Sequence, residues 1–177
     1  EEVFEYCRKA GPLGWSNSDN PKPVIVAYLM IVLSKGGEGA KVLLKQWEDA
    51  IGQTCGHGGA EYIGKYRSVI EHTITTIALT GEQEQFFLKW CMDEVGKRVD
   101  AIVGNQYRGS YHKAAGLLVA MAETLAKRGE KQAGANLIEK YRSNYPRHSA
   151  FRNEVSAAMQ RSKIFESGAS AKGTKKR

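Results

Sequence analysis

No apolar run in the sequence exceeds about ten residues, Val24 to Leu33, half of what a bilayer span needs, so a transmembrane helix is excluded. Cysteine is scarce, and the three present, Cys7, Cys55 and Cys91, have no paired spacing. An odd, unpaired set favours reduced thiols in a cytoplasmic protein over a disulfide framework. The first residues, Glu1, Glu2 and Glu5, are acidic and form no secretory signal, and the missing initiator Met suggests a piece of something larger. No Gly-rich phosphate loop, His-Glu-x-x-His or Gly-x-Ser-x-Gly occurs, and no carboxylates pair in a pocket pattern. Glu48-Asp49 and Asp93-Glu94 read as solvated helix faces. The expectation is a non-enzymatic protein without cofactor or metal.

What is present is close to the average of soluble globular proteins: 42% hydrophobic and 25% charged residues in a 177-residue chain, enough to bury a core. The net charge of +7 is unevenly distributed. Residues 1–104 hold 11 Lys and Arg against 14 Asp and Glu, a net of −3, whereas residues 105–177 hold 15 against 5, a net of +10. A basic segment can attract phosphate backbones or an acidic protein, or it can simply be a solvated helix face.

Gly and Pro divide the chain into helical stretches. A short amphipathic piece, Val3 to Ala10, ends at Gly11-Pro12 and is followed by a polar loop, Gly14 to Pro23. Pro23 suits the first turn of a helix over Val24 to Ser34, apolar on most sides and so central to the core. Val42, Leu43, Trp47 and Ile51 recur at helical spacing within Gly39 to Ile51, and Gly52 to Gly59 breaks that pattern. Tyr62, Ile63, Tyr66, Ile70 and Ile74 step by three and four, although Thr73 to Ile77 carries strand propensity. Gly81 ends that segment. Glu82 to Val103 reads as the longest helix, with Phe86, Phe87, Trp90, Val95, Val99, Ile102 and Val103 on one stripe. Asn105 to Gly109 is a turn with Ser110 as N-cap, and helices follow over Tyr111 to Lys127, Lys131 to Tyr145 and Ser149 to Ser162. Gly129 caps the first of these and Pro146 closes the second.

Gly37-Glu38, Gly81-Glu82 and Gly129-Glu130 each separate two helical patterns, and each is followed by a ring, Trp47, Trp90 or Tyr141. Such a repeat predicts antiparallel helix pairs in which Gly supplies a left-handed cap and the ring anchors the second helix on the first. Residues 115–148 fit best: small Ala122 and Gly134 stand where two helices cross closely, with Leu118, Leu125 and Ile138 between them. The fold class that follows is all-α, antiparallel helix pairs stacked as a short α-solenoid, tetratricopeptide-like or HEAT-like, over residues 1–161. Residues 162–177 read as a basic, flexible tail.

The segments Asn105-Gln106-Tyr107-Arg108-Gly109-Ser110-Tyr111-His112-Lys113-Ala114-Ala115, Leu117 to Leu125, Lys127-Arg128-Gly129 and Tyr145-Pro146-Arg147-His148-Ser149-Ala150-Phe151-Arg152 occur in that order. Over roughly residues 95–160 they resemble the C-terminal helical region of bacterial SWIM zinc-finger family proteins. That resemblance implies an intracellular, tetratricopeptide-like region attached to a zinc module that contacts DNA or proteins. The family's zinc motif, Cys-x-Cys followed by Cys-x-His, is represented here only by Cys55-Gly56-His57, so zinc is not carried over.

Cys55 and His57 lie in a Gly-rich stretch and are either a thiolate–imidazole pair or an incidental connector. Cys91, beside Trp90 in an apolar stripe, reads as a small buried hydrophobe. The turn around Tyr107, Arg108, Tyr111, His112 and Lys113 interleaves rings with cations that can grip a peptide or stack on bases. Equally, Tyr111 can be a spacer between helices and Arg108 a structural ion pair. A second cluster, Arg142, Arg147, His148 and Arg152 around Pro146, falls on the same edge if 115–148 folds as a hairpin. Together these nine residues are the candidate surface. The first function expected is a helical interaction module for a protein or peptide, and the alternative is a nucleic-acid-binding protein using the basic C-terminal surface.

Overall fold

The computed structural model describes residues 2–14, 20–55 and 59–165. The chain folds as an all-α stack of antiparallel helix pairs: α1 (Glu2–Lys9), α2 (Lys22–Leu33), α3 (Lys41–Cys55), α4 (Gly59–Thr76), α5 (Gly81–Gly104), α6 (Tyr111–Lys127), α7 (Lys131–Asn144) and α8 (Ser149–Arg161). A 3-10 turn, Arg108–Ser110, leads into α6. No helix among the described residues is long and apolar enough to cross a membrane. The stack wraps around α6, which packs against α2, α3, α5, α7 and α8, so that nearly all its side chains from Ala114 to Leu125 are buried.

α2 starts as expected with Pro23 in its first turn, and Val24, Val26, Ala27, Leu29, Met30, Ile31 and Leu33 are buried around its circumference. Its first residue, Lys22, is buried as well. The ammonium is paired with Glu94 of α5 at 3.1 Å and donates to the Ala10 carbonyl at 3.3 Å. Glu94 also accepts from Lys97 at 2.9 Å. Burial alone would raise the Glu94 carboxyl, but the hydrogen bonds from Lys97 and Lys22 hold it below its ordinary value.

Several boundaries depart from the sequence expectation. α3 continues through Gly52 to Cys55 rather than stopping at Ile51, since a single Gly lowers helix propensity by about 1 kcal/mol without ending the helix. α4 is helical through its β-branched end. Thr73 and Thr76 turn their hydroxyls back onto the Val69 and His72 carbonyls, a hydrogen bond that a helix offers and that offsets their strand propensity. Gly81 does not end a helix but opens α5, whose N-cap is Thr80. The Gln83 amide donates to the Thr80 hydroxyl at 3.2 Å, and the Thr80 amide donates to the Gln83 side chain at 2.9 Å, a complete capping box. Gly129, at φ 89°, is the left-handed residue just past the α6 C-cap, as expected. After α2 that place is taken by Lys35, at φ 54°, whose amide and that of Gly36 return to the Val32 and Ile31 carbonyls, and Gly37 lies two residues farther on. The Gly punctuation is therefore of two kinds. Ser110 stands at the N-cap of α6 but its side chain makes no capping bond.

The three anchor rings also diverge. Trp47 meets Tyr28 across the α2–α3 pair, ring centroids 6.3 Å apart, as expected of a pair. Trp90 instead meets Phe4 of α1 at 5.0 Å, and the Tyr141 hydroxyl lies over Gly96 of α5, where a Cβ would be 2.8 Å away. Phe86 is 55% exposed, and Leu88 replaces it on the buried stripe of α5.

The α6–α7 hairpin holds the closest helix crossing. A Cβ on Gly134 would stand 2.6 Å from the Ala122 carbonyl oxygen, so only Gly lets the two backbones meet there. Leu118, Leu125 and Ile138 are buried around the crossing. Two groups far apart in sequence tie α3 to α6: the fully buried Glu123 carboxylate accepts the Leu43 amide at 2.8 Å and so caps the N-terminus of α3 from another helix. Burial pushes the Glu123 carboxyl up, against the hydrogen bond from the Leu43 amide; the second carboxylate oxygen and the nearby Ser162 hydroxyl are buried with no hydrogen-bond partner among the described residues. Ser162, expected to begin the tail, is itself buried, and Ile164 and Phe165 pack on the core, so the folded unit extends to residue 165.

Candidate functional site

The nine candidate residues separate into three groups. Tyr111 is 3% exposed and packs edge-on against Phe151 at 5.9 Å and His148 at 6.4 Å, which makes it a spacer between α6 and α8 rather than a contact residue. His148 is half-buried between Tyr111 and Tyr145, the latter 5.3 Å away. Arg142 is half-buried and donates to the Ser156 hydroxyl at 2.8 Å, fastening α7 to α8. Tyr111 is closed off from solvent, whereas Arg142 and His148 are half-buried, with Arg142 Nε and His148 Nδ1 making no hydrogen bond among the described residues. The ring cluster does show that the turn before α6 and the corner after α7 adjoin, as the hairpin expectation required. Tyr107, at 62% exposure, and Arg108, Arg147 and Arg152 are exposed on that corner. His112 and Lys113 belong elsewhere, on the wall of a cleft.

That cleft, of about 680 Å³, opens between α2, α3 and α6, with the 13–14 loop at one lip and the end of α8 at another. One whole face of α3 lines it, in the order Lys41, Val42, Lys45, Gln46, Asp49, Ala50 and Gln53, every residue standing four from its neighbour along one of two adjacent rows. At 1.5 Å per residue the face from Lys41 to Gln53 is about 18 Å long. Pro23, Val26, Ala27 and Met30 of α2 form the apolar floor with Val42, and Leu117 of α6 adds a half-buried aliphatic wall. Gln46 reaches across the floor to α6, where a Cβ on Gly116 would be 2.8 Å from its amide nitrogen.

The rim is cationic. Lys41 and Lys45 come from α3, Arg98 from α5, Lys113 from α6, and Arg161 and Lys163 from the end of α8. Among the described residues Asp49 is the one carboxylate lining the cleft, and it is already bonded to Lys45. Arg98 lies against the loop, with its guanidinium carbon 3.5 Å from the position of a Gly14 Cβ, and it also lines a smaller cavity of about 260 Å³ beside Lys22 and Glu94.

The sequence reading found two of the cleft residues, His112 and Lys113, and missed the rest. One signal was available: Lys41, Lys45, Asp49 and Gln53 at strict four-residue intervals with Val42, Gln46 and Ala50 beside them, a polar face with an apolar seam. Arg98, Arg161 and Lys163 had no such signal, since only packing brings them there. Of the Cys55–His57 pair, His57 and the Cys55 side chain lie outside the described residues. Cys91 is fully buried with its thiol pushed up by burial and by the Glu94 charge, in keeping with an inert core position. No group of three or more His, Cys, Asp or Glu among the described residues is placed to hold a metal ion. Comparison with protein-family models, curated proteins and solved structures finds no match to this chain.

Proposed function

We propose that the chain is a non-enzymatic interaction module that binds a segment of a protein or peptide partner in the α2–α3–α6 cleft. The observation that carries this reading is the shape of the cleft: an apolar floor beneath an α3 face about 18 Å long, the length of three helical turns or of five to six extended residues. Grooves between helices take peptides by burying a few apolar anchors on the floor while the rim sets charge and direction. On the resemblance drawn from residues 95–160, the module would be the scaffold region of a larger SWIM-type protein. Backbone amide shifts of the isotopically labelled chain, followed while short peptides with aliphatic anchors are added, test the reading. Changes should concentrate at residues 41–53 and 112–117. Changes confined to the Tyr107 and Arg147 corner, or none with any peptide, would count against it.

A second reading, nucleic-acid binding, is favoured by the exposure of Tyr107 beside Arg108, with Arg147 and Arg152 on the same corner. It predicts weak binding to single strands that falls steeply with salt and is lowered by changing Arg147 and Arg152 together. Salt-insensitive binding, or none at low ionic strength, would remove it.

A further inference from the structure

On the reading of the cleft as a partner groove, we infer that the partner segment is acidic, with carboxylates flanking one or two aliphatic anchors. The charge of the cleft is one-sided. Asp49 and Lys45 neutralise each other, which leaves Lys41, Arg98, Arg161 and Lys163 around an opening that offers no second carboxylate among the described residues. None of these four makes an ion pair with any described residue. Four cations lining one concavity focus a positive field into it, which accelerates encounter with anions and repels basic segments.

The walls say what kind of anion fits. Val26, Met30 and Val42 beneath the opening are 1%, 0% and 5% exposed and already packed in the core, so the aliphatic side chain open to a partner is half-buried Leu117, which a bare phosphate or a fully charged chain would leave uncovered. A nucleic-acid strand needs rings on which bases stack, and the described lining residues include no Phe, Tyr or Trp. A peptide that alternates acidic and aliphatic residues meets both features of the site: Leu, Ile or Met against Leu117, and carboxylates against the Lys41, Arg161 and Lys163 cations. Arg98 at the loop end is suited to bidentate capture of one carboxylate.

The test uses the full chain and three labelled peptides of about 12 residues with identical Leu anchors and flanks of Glu, Gln or Lys, read by fluorescence anisotropy. The Glu peptide is expected to bind at least about tenfold tighter than the Gln peptide, with the advantage shrinking as salt rises, and the Lys peptide not at all. The double variant Lys41→Glu, Arg161→Glu should lose about tenfold for the Glu peptide and gain affinity for the Lys peptide; both positions are exposed, and the gain guards against mistaking misfolding for lost contact. Equal binding of the Gln and Glu peptides, both weakened when the half-buried wall residue is changed by Leu117→Gln, would overturn the acidic inference while leaving the groove reading standing. Failure of all three peptides would overturn both. Oligothymidylate that binds the chain and is lost in the same double variant would also overturn the inference, by assigning the rim to nucleic acid.

Discussion

Replacing Gly134 by Ala sets two known effects against each other at one atom. An exposed Gly in the middle of a helix is usually improved by Ala, by about 0.5–1 kcal/mol, through helix propensity and a less flexible unfolded chain. At Gly134 the new methyl would lie 2.6 Å from the Ala122 carbonyl oxygen, 3.3 Å from its carbon and 3.4 Å from its Cα, all backbone atoms inside buried α6. No side chain can swing away, so α7 must retreat by roughly 0.4–0.8 Å to reach the 3.0–3.4 Å that real Cβ atoms show. A gap of that size forfeits about a quarter to a half of each dispersion contact across the crossing, around which Leu118, Leu125 and Ile138 are buried. Overpacking of this kind costs about 1–3 kcal/mol, more than the propensity gain, so the net is a loss of about 1–2 kcal/mol. For a chain of this size that lowers the melting temperature by about 2–8 °C. The assay is urea and thermal unfolding followed by helical circular dichroism. Gly64→Ala serves as the comparison, since nothing lies within 4 Å of a Cβ there, and it should gain about 0.5–1 kcal/mol. A Gly134→Ala variant as stable as the parent, or a loss equal in both variants, would refute the close crossing of α6 and α7.

The carboxyl of Glu123 is raised above its ordinary 4.5 by burial, so the folded chain holds that proton more tightly than the unfolded chain. Its contribution is therefore fully present below the ordinary value and fades as pH rises through the folded one. The urea midpoint of the parent should fall relative to Glu123→Gln as pH climbs from about 4.5 towards neutrality, while Glu123→Ala should cost about 1–3 kcal/mol by stranding the α3 amides; a pH-independent difference would contradict this. Glu94 has the opposite sign: held below its ordinary value, it stabilises above that value and the contribution is lost as pH falls through the folded one. Glu94→Leu alone leaves the Lys22 ammonium buried without its main partner and should cost about 3–5 kcal/mol, whereas Lys22→Met with Glu94→Leu should recover most of it; a double variant no better than the single in chemical denaturation would sink that account.

Local periodicity carried the helices. The apolar rows of α3, α5 and α6 repeat every three or four residues, and that spacing depends only on backbone geometry, so it can be read without knowing what lies opposite. The approach of Ala122 to Gly134 was legible for the same reason, two small residues on facing helices joined by a short turn. The α5 start was misplaced because Gly81 drew attention from the Thr80–Gln83 box beside it, and α3 ran past Gly52 because a single Gly need not stop a helix.

The sequence by itself determined the secondary structure, the α6–α7 hairpin and the excess of positive charge in the second half. The tertiary structure decided where the charge acts. Lys41, Lys45 and Arg98 belong to the acidic half, yet packing brings them to the same rim as Lys113, Arg161 and Lys163, while Arg142, His148 and Tyr111 of the basic half turn inward as structural contacts. Glu123 capping α3 across 80 residues is of the same kind. Electrostatic fields sum over positions in space, and side-chain hydrogen bonds form wherever the fold brings donor to acceptor, so neither follows from order along the chain.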